Sequence, residues 1–162
     1  MPRPAKMQID LTALRHNCTV VSQIAPQSKI VAVIKANAYG HGAVEIAEAL
    51  QGYICMLAVS SVEEAMLLRN HGVKTPILLL EGCFEHSELM CASQNNMDVV
   101  FHCPQQIEAL AKMQLPNPVR AWLKVDTGMH RLGVSPEEAS DCYTSLMPVS
   151  YTHLRAHETP IN

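Results

Sequence analysis

The chain has 162 residues, 48% hydrophobic and 17% charged, with a formal net charge of −3, the composition of a globular domain large enough to build one core. It contains no basic block that would neutralise phosphates, which argues against nucleic acid or an anionic membrane as partner. No apolar run approaches the roughly 18–20 residues that cross a bilayer.

In chain order, the basic start (Met1 to Lys6) is followed by Asp10, Arg15 and His16 instead of the apolar stretch of a secretory signal. The expected location is therefore the cytoplasm. Residues 11–24 carry helical periodicity, and the run 29–34 reads as a strand. That run is continuously apolar, as a parallel strand covered on both faces requires. A helix is predicted over 43–51, a strand over 54–59, and a helix opening on the Ser61/Glu64 capping box and stopping near Gly72. Strand 77–80, helix 85–93, strand 98–101, helix 105–113 and strand 119–125 follow. Ser135-Pro136-Glu137-Glu138 starts another helix, with proline at the first helical position and Glu138 three residues after the cap.

Five strands and six helices in β/α order imply a parallel sheet with right-handed crossovers. Two architectures fit, an open doubly wound sheet or part of a (β/α)8 barrel. A complete barrel needs about 250 residues, so this chain is too short to close one. The six cysteines contain no C-x-x-C pair and the eight histidines no H-E-x-x-H, so reduced thiols and no metal site are expected.

Residues 149–159 break the β/α rhythm. All eleven match, in frame, the translation of a constant adapter used in transposon-based DNA sequencing libraries. The expected division is a domain over 1–148, with natural sequence ending near Met147 or Pro148, and a non-native tail over 149–162.

Two segments could carry chemistry. In residues 31–42, Lys35 stands at the C-terminal end of an apolar strand, the end at which α/β folds build their sites. Apolar neighbours favour a neutral amine able to condense with an aldehyde, and Gly40 and Gly42 allow a tight turn and close approach of a ligand. A lysine that snorkels to solvent from a strand end fits the same pattern. In residues 122–133 a second strand ends in Lys124, Asp126 and, after Gly128, Arg131. An arginine on that rim could hold a carboxylate through two parallel hydrogen bonds, and a surface ion-pair network is the alternative. His41, Asp126 and His130 read as structural, and no cysteine has an identifiable base.

The string V-I-K-A-N-A-Y-G-H-G (33–42) resembles the cofactor-attachment signature of alanine racemases, and L-K-V-D-T-G-M-H-R-L-G (123–133) resembles their second signature. The opening I-D-L-T-A-L-R-H-N and the strand I-L-L-L-E-G are similar too, so that the likeness runs from about Ile9 to Met147. The resemblance implies a partial (β/α)8 barrel, about the first five β/α units, without the later strands and the C-terminal β-domain. It implies pyridoxal 5'-phosphate (PLP) attached to Lys35, which also handles the α-proton on one face of the substrate. It further implies a hydrogen bond from Tyr39 to the cofactor phosphate, Arg131 on the substrate carboxylate, and Lys124 as a lysine that many members carry as a carbamate orienting that arginine. A homodimer, a second base from a tyrosine of the partner subunit, and D-alanine supply for peptidoglycan belong to the same expectation.

A racemase of serine or another small amino acid is the enzymatic alternative, and PLP-dependent decarboxylases of similar barrel should match the first signature less completely. A non-catalytic PLP-binding barrel protein is the third reading, against which Arg131 argues. The 162-residue chain alone should be poorly soluble or partly unfolded, and inactive as a racemase. Detectable exchange between D- and L-alanine by the purified chain would contradict that expectation.

Overall fold

The structure, a computed structural model, describes residues 6–147 and the backbone of 152–157. Residues 1–5 of the basic start, and 148–151 and 158–162 around the expected domain boundary and tail, lie outside the described residues.

Helix α1 (Leu11–Ile24) starts where the Asp10 carboxylate accepts the amide N–H groups of Thr12 at 2.9 Å and Ala13 at 3.0 Å, supplying an acceptor to donors that have none within the helix. Strand β1 (Val31–Val33) leads into a short turn, α2 (Lys35–Tyr39), and helix α3 (Ala43–Ala49). Strands β2 (Met56–Val59), β3 (Ile77–Leu79), β4 (Met97–Phe101) and β5 (Val119–Lys124) then alternate with helices α4 (Val62–Asn70), α5 (His86–Gln94) and α6 (Pro104–Ala111). Helix α7 (Pro136–Leu146) opens on Ser135 with the predicted capping box, and Glu138 returns a bond to the Ser135 N–H at 3.1 Å. Strand β6 (Thr152–His157) is last.

The strands lie in chain order, each parallel to its neighbours. The two faces of the sheet decide between the two candidate architectures. On one face, Leu57, Val59, Ile77, Leu79, Val99 and Ala121 pack in a single core with Ile46, Leu68, Leu89, Leu110 and Leu146 of the helices. On the other, Met56, Ala58, Leu78 and Val100 form a separate cluster, joined by Val31, Leu80 and Trp122, that contains no helix residue. Helices on one face only, with strand order unreversed, are successive units of a (β/α)8 barrel, whose inner face is lined by strands alone. A doubly wound sheet has helices on both faces and reverses its strand order.

The predicted strands and helices are present with small shifts at their ends. Two additions were not expected. One is α2, and the other is β6, which runs beside β5 within the segment read from sequence as tail. The edge of β5 is a row of unpaired backbone groups that a following extended segment can pair.

The inner face also holds a buried charge. Asp98 on β4 is 1% exposed and accepts from Arg120 Nε and Trp122 Nε1 on β5, both at 2.9 Å. Replacing Asp98 with alanine removes the acceptor of both donors and is expected to cost about 2–3 kcal/mol of stability. A fall in the urea midpoint followed by circular dichroism measures it, and an unchanged midpoint would contradict it.

Candidate functional site

The C-terminal ends of parallel strands form one rim, and the turns leaving that rim build the sites of such folds. The ladder pairs Val33 with Ala58, Ala58 with Leu78 and Leu78 with Asp98, and the pairing of Val99 with Ala121 brings Arg120 into the same row. Lys35 lies two residues beyond this row, just past the end of β1, and Lys124 ends β5 four residues beyond it. Lys35, Tyr39, Lys124 and Arg131 all lie in or beyond the exits of β1 and β5, on that rim. Lys35 and Lys124 are half-buried, whereas Tyr39 and Arg131 are exposed.

The backbone after Lys35 is unusual. Ala36, Asn37, Ala38 and Tyr39 have φ of 50, 55, 53 and 53°, one turn of left-handed helix built without glycine. Such residues bring Cβ close to the following carbonyl and cost roughly 1–2 kcal/mol each, so the surroundings must hold them. Three side chains do so. Glu64 Oε1 accepts the Ala36 N–H at 2.6 Å while its Oε2 accepts the Ser60 N–H at 2.8 Å. Asn37 Oδ1 accepts the Ala43 N–H at 2.8 Å, capping α3. His41 Nδ1 lies 2.7 Å from the Ala38 carbonyl oxygen and donates to it, a structural contact of the kind its sequence reading expected. Gly40, at φ 87°, then ends the turn.

The exit of β5 is organised around Asp126. Its Oδ1 accepts the amide N–H groups of Gly128 and His130, both at 3.0 Å, and Oδ2 meets His130 Nδ1 at 3.1 Å. Those bonds, from His130 first and Gly128 second, hold the Asp126 carboxyl below the ordinary carboxylate range. The loop closes where Val134 N–H donates to the Lys124 carbonyl at 2.9 Å and Asp126 N–H to the Val134 carbonyl at 2.8 Å. Gly133 is required at that closure, because it has φ 133° and a Cβ there would sit 2.6 Å from the Asp126 nitrogen. Asp126 and His130 thus shape the loop that presents Arg131.

A cleft of about 490 Å³ lies elsewhere, between α1 and β1, lined by Leu14, Asn17, Ala32, Ile34 and His41 among others. None of the four rim residues lines it. The Cys83 thiol, half-buried, is pushed up to about 12 by burial first and then by Glu88 and Cys91, which makes it a poor nucleophile. Sequence reasoning did not reach Glu64 and Asn37 as parts of the site. Ser61/Glu64 was legible as a helix cap, but not the second oxygen's reach across 28 residues to the amide beside Lys35.

The donor set fits a phosphorylated aldehyde. It offers a half-buried primary amine for the carbonyl carbon, and a phenol and a guanidinium on the same rim for anionic groups. Fold and site together define a β/α-barrel domain with a lysine at the exit of its first strand. A profile of the family described as "Alanine racemase, N-terminal domain" matches residues 9–157. The chain is 49% identical over 156 residues to an alanine racemase of Pseudoalteromonas atlantica, covering 90% of this chain and 42% of that protein. It is 52% identical over 136 residues to one of Xanthomonas axonopodis pv. citri, covering 84% and 37%. The crystal structure of the biosynthetic alanine racemase from Pseudomonas aeruginosa superposes with a TM-score of 0.83 at 42% identity, covering 93% of this chain and 43% of that one. The chain belongs to the alanine racemase family, through its N-terminal domain, and spans about two fifths of the length of these relatives.

The Asp126 loop has a defined pH response. A carboxyl whose folded value is depressed contributes fully above its unfolded value of about 3.9 and loses that contribution as pH falls through the folded value. Amide protection at Gly128 and His130 is therefore expected to persist down to about pH 4 and to fall only below it. In Asp126→Ala it should be lost at neutral pH as well. Hydrogen exchange followed by NMR measures both, and equal protection in the variant would rule the loop's organisation by Asp126 out.

Proposed function

We propose that the protein carrying this domain interconverts L-alanine and D-alanine, with PLP attached to Lys35. The observation that carries the proposal is the position of Lys35, half-buried at the exit of β1 on a left-handed turn held by side chains, in a chain of this family. When bound, the cofactor supplies an electron sink for the charge left at the α-carbon once its proton is removed. The Lys35 amine moves that proton on one face of the substrate. The Tyr39 phenol hydrogen-bonds the cofactor phosphate. Arg131 holds the substrate carboxylate through two parallel N–H bonds, which fixes the α-carbon relative to Lys35. Lys124, carried as a carbamate, is an anion that pairs with Arg131 and orients it; as a free ammonium it would repel it. Racemisation needs a second proton-handling group on the opposite face, and the proposal assigns it to a tyrosine of the partner subunit in a homodimer.

The proposed setting is the cytoplasm and the proposed use of the product is peptidoglycan. The proposed domain boundary lies at residue 148, and contiguous source DNA encoding the same residues through codon 149 and beyond would overturn it.

Borohydride reduction of the PLP-loaded full-length protein should leave the cofactor's mass on the Lys35 peptide. A label on another lysine refutes the attachment. Lys35→Ala should lower exchange between the alanine enantiomers by about a thousandfold or more, read by solvent-deuterium incorporation at the α-carbon.

A further inference from the structure

We propose that Glu64 is a positioning residue for Lys35, holding the backbone beside the amine by bridging the exits of β1 and β2. The proposal rests on the reading of Lys35 as the attachment point and deepens it.

Glu64 is the third residue of α4, and its own N–H points to Ser61 Oγ at 3.5 Å. A glutamate at that position commonly bends back to bond an amide at the helix start. That task occupies one carboxylate oxygen, Oε2, on Ser60 N–H. Oε1 leaves the helix altogether and takes the N–H of Ala36, at 2.6 Å, the shorter of the two bonds. Ala36 adjoins Lys35 and is the first of the four left-handed residues. Any relaxation of that strained turn toward the ordinary helical region would rotate the peptide joining Lys35 to Ala36 and swing the amine off the rim. An anionic acceptor on that amide opposes the rotation, because hydrogen bonds to a charged group are about twice as strong as neutral ones. The second oxygen, on Ser60, fixes the carboxylate to the neighbouring strand's exit, so the two exits are held at one spacing. Glutamine cannot replace it fully. It has one acceptor oxygen, and its NH2 group would face a second N–H donor.

The test uses the full-length protein, with PLP itself as probe, and three variants. Glu64→Ala and the near-isosteric Glu64→Gln should each weaken PLP binding, by about tenfold for alanine and less for glutamine, in titrations of the visible band of the lysine-bound cofactor. Protection of the Ala36 amide, measured without cofactor, should fall in the same order. Ser61→Ala weakens the cap of the same helix while leaving the Ala36 bond in place, so it should lower Tm but leave both readouts unchanged. Wild-type PLP affinity and wild-type Ala36 protection in Glu64→Ala would overturn the proposal, as would an equal loss of both in Ser61→Ala. Glu64→Gln keeps the comparison available if the alanine variant does not fold. Should the wild-type protein carry no cofactor on Lys35, the reading of Lys35 fails instead. The cofactor-free exchange at Ala36 then still decides whether Glu64 holds the turn.

Discussion

A parallel ladder can be extended only if the chain is carried back to the strands' starting end after every strand, and here the returning helices pack on the same face of the sheet. That single-sidedness governs the rest of the molecule. It concentrates helix packing into one core, where Leu57, Leu68, Leu79 and Leu110 are almost fully buried. It leaves the other face to strand side chains, the apolar Met56, Ala58, Leu78 and Val100 together with Trp122 and the Asp98–Arg120 pair. It also brings the exit of every strand to one rim, so residues distant in sequence, such as Lys35 and Arg131, belong to one end of the molecule.

On that rim the backbone is under strain. A left-handed turn of Ala, Asn, Ala and Tyr is unfavourable in isolation and persists because Glu64, Asn37 and His41 each bond it or its exit. Strain of this kind gathers where a group must stand in one place for chemistry. The exit of β5 follows the same logic with a different device, since one aspartate folds the loop by accepting two backbone amides and a ring nitrogen. In both cases polar side chains fix the backbone next to a basic residue, Lys35 in one and Arg131 in the other.

The regular elements were legible because their signals are local. Continuous apolar runs marked the strands, and capping residues at Ser61 and Ser135 marked helix starts that the structure places at those residues. Lys35, Tyr39, Lys124 and Arg131 were singled out through two unbroken strings. The left-handed turn was not legible, since alanine and tyrosine carry no sign of positive φ and the reason for it lies in Glu64, 28 residues away from Ala36. The Asp98 network was hidden for a related reason. Asp98 begins a run that reads as an ordinary strand, and its partners Arg120 and Trp122 are 22 and 24 residues further on. Strand β6 was missed because its pattern departs from the apolar runs before it and its pairing depends on the exposed edge of β5.

Trp122 is the chain's sole tryptophan, and it lies on the face that no helix covers. Its register pairs it with Val100, two residues beyond Arg120 toward the C-terminal rim. Its indole N–H is tied to a buried carboxylate, so the ring is held in one orientation. The molecule thereby contains its own optical reporter. Indole emission from this chain comes from a single, fixed donor on the concave side, and a chromophore seated at the rim that absorbs in the near-ultraviolet will drain that emission by energy transfer. Loading of the rim can then be followed in solution without a label.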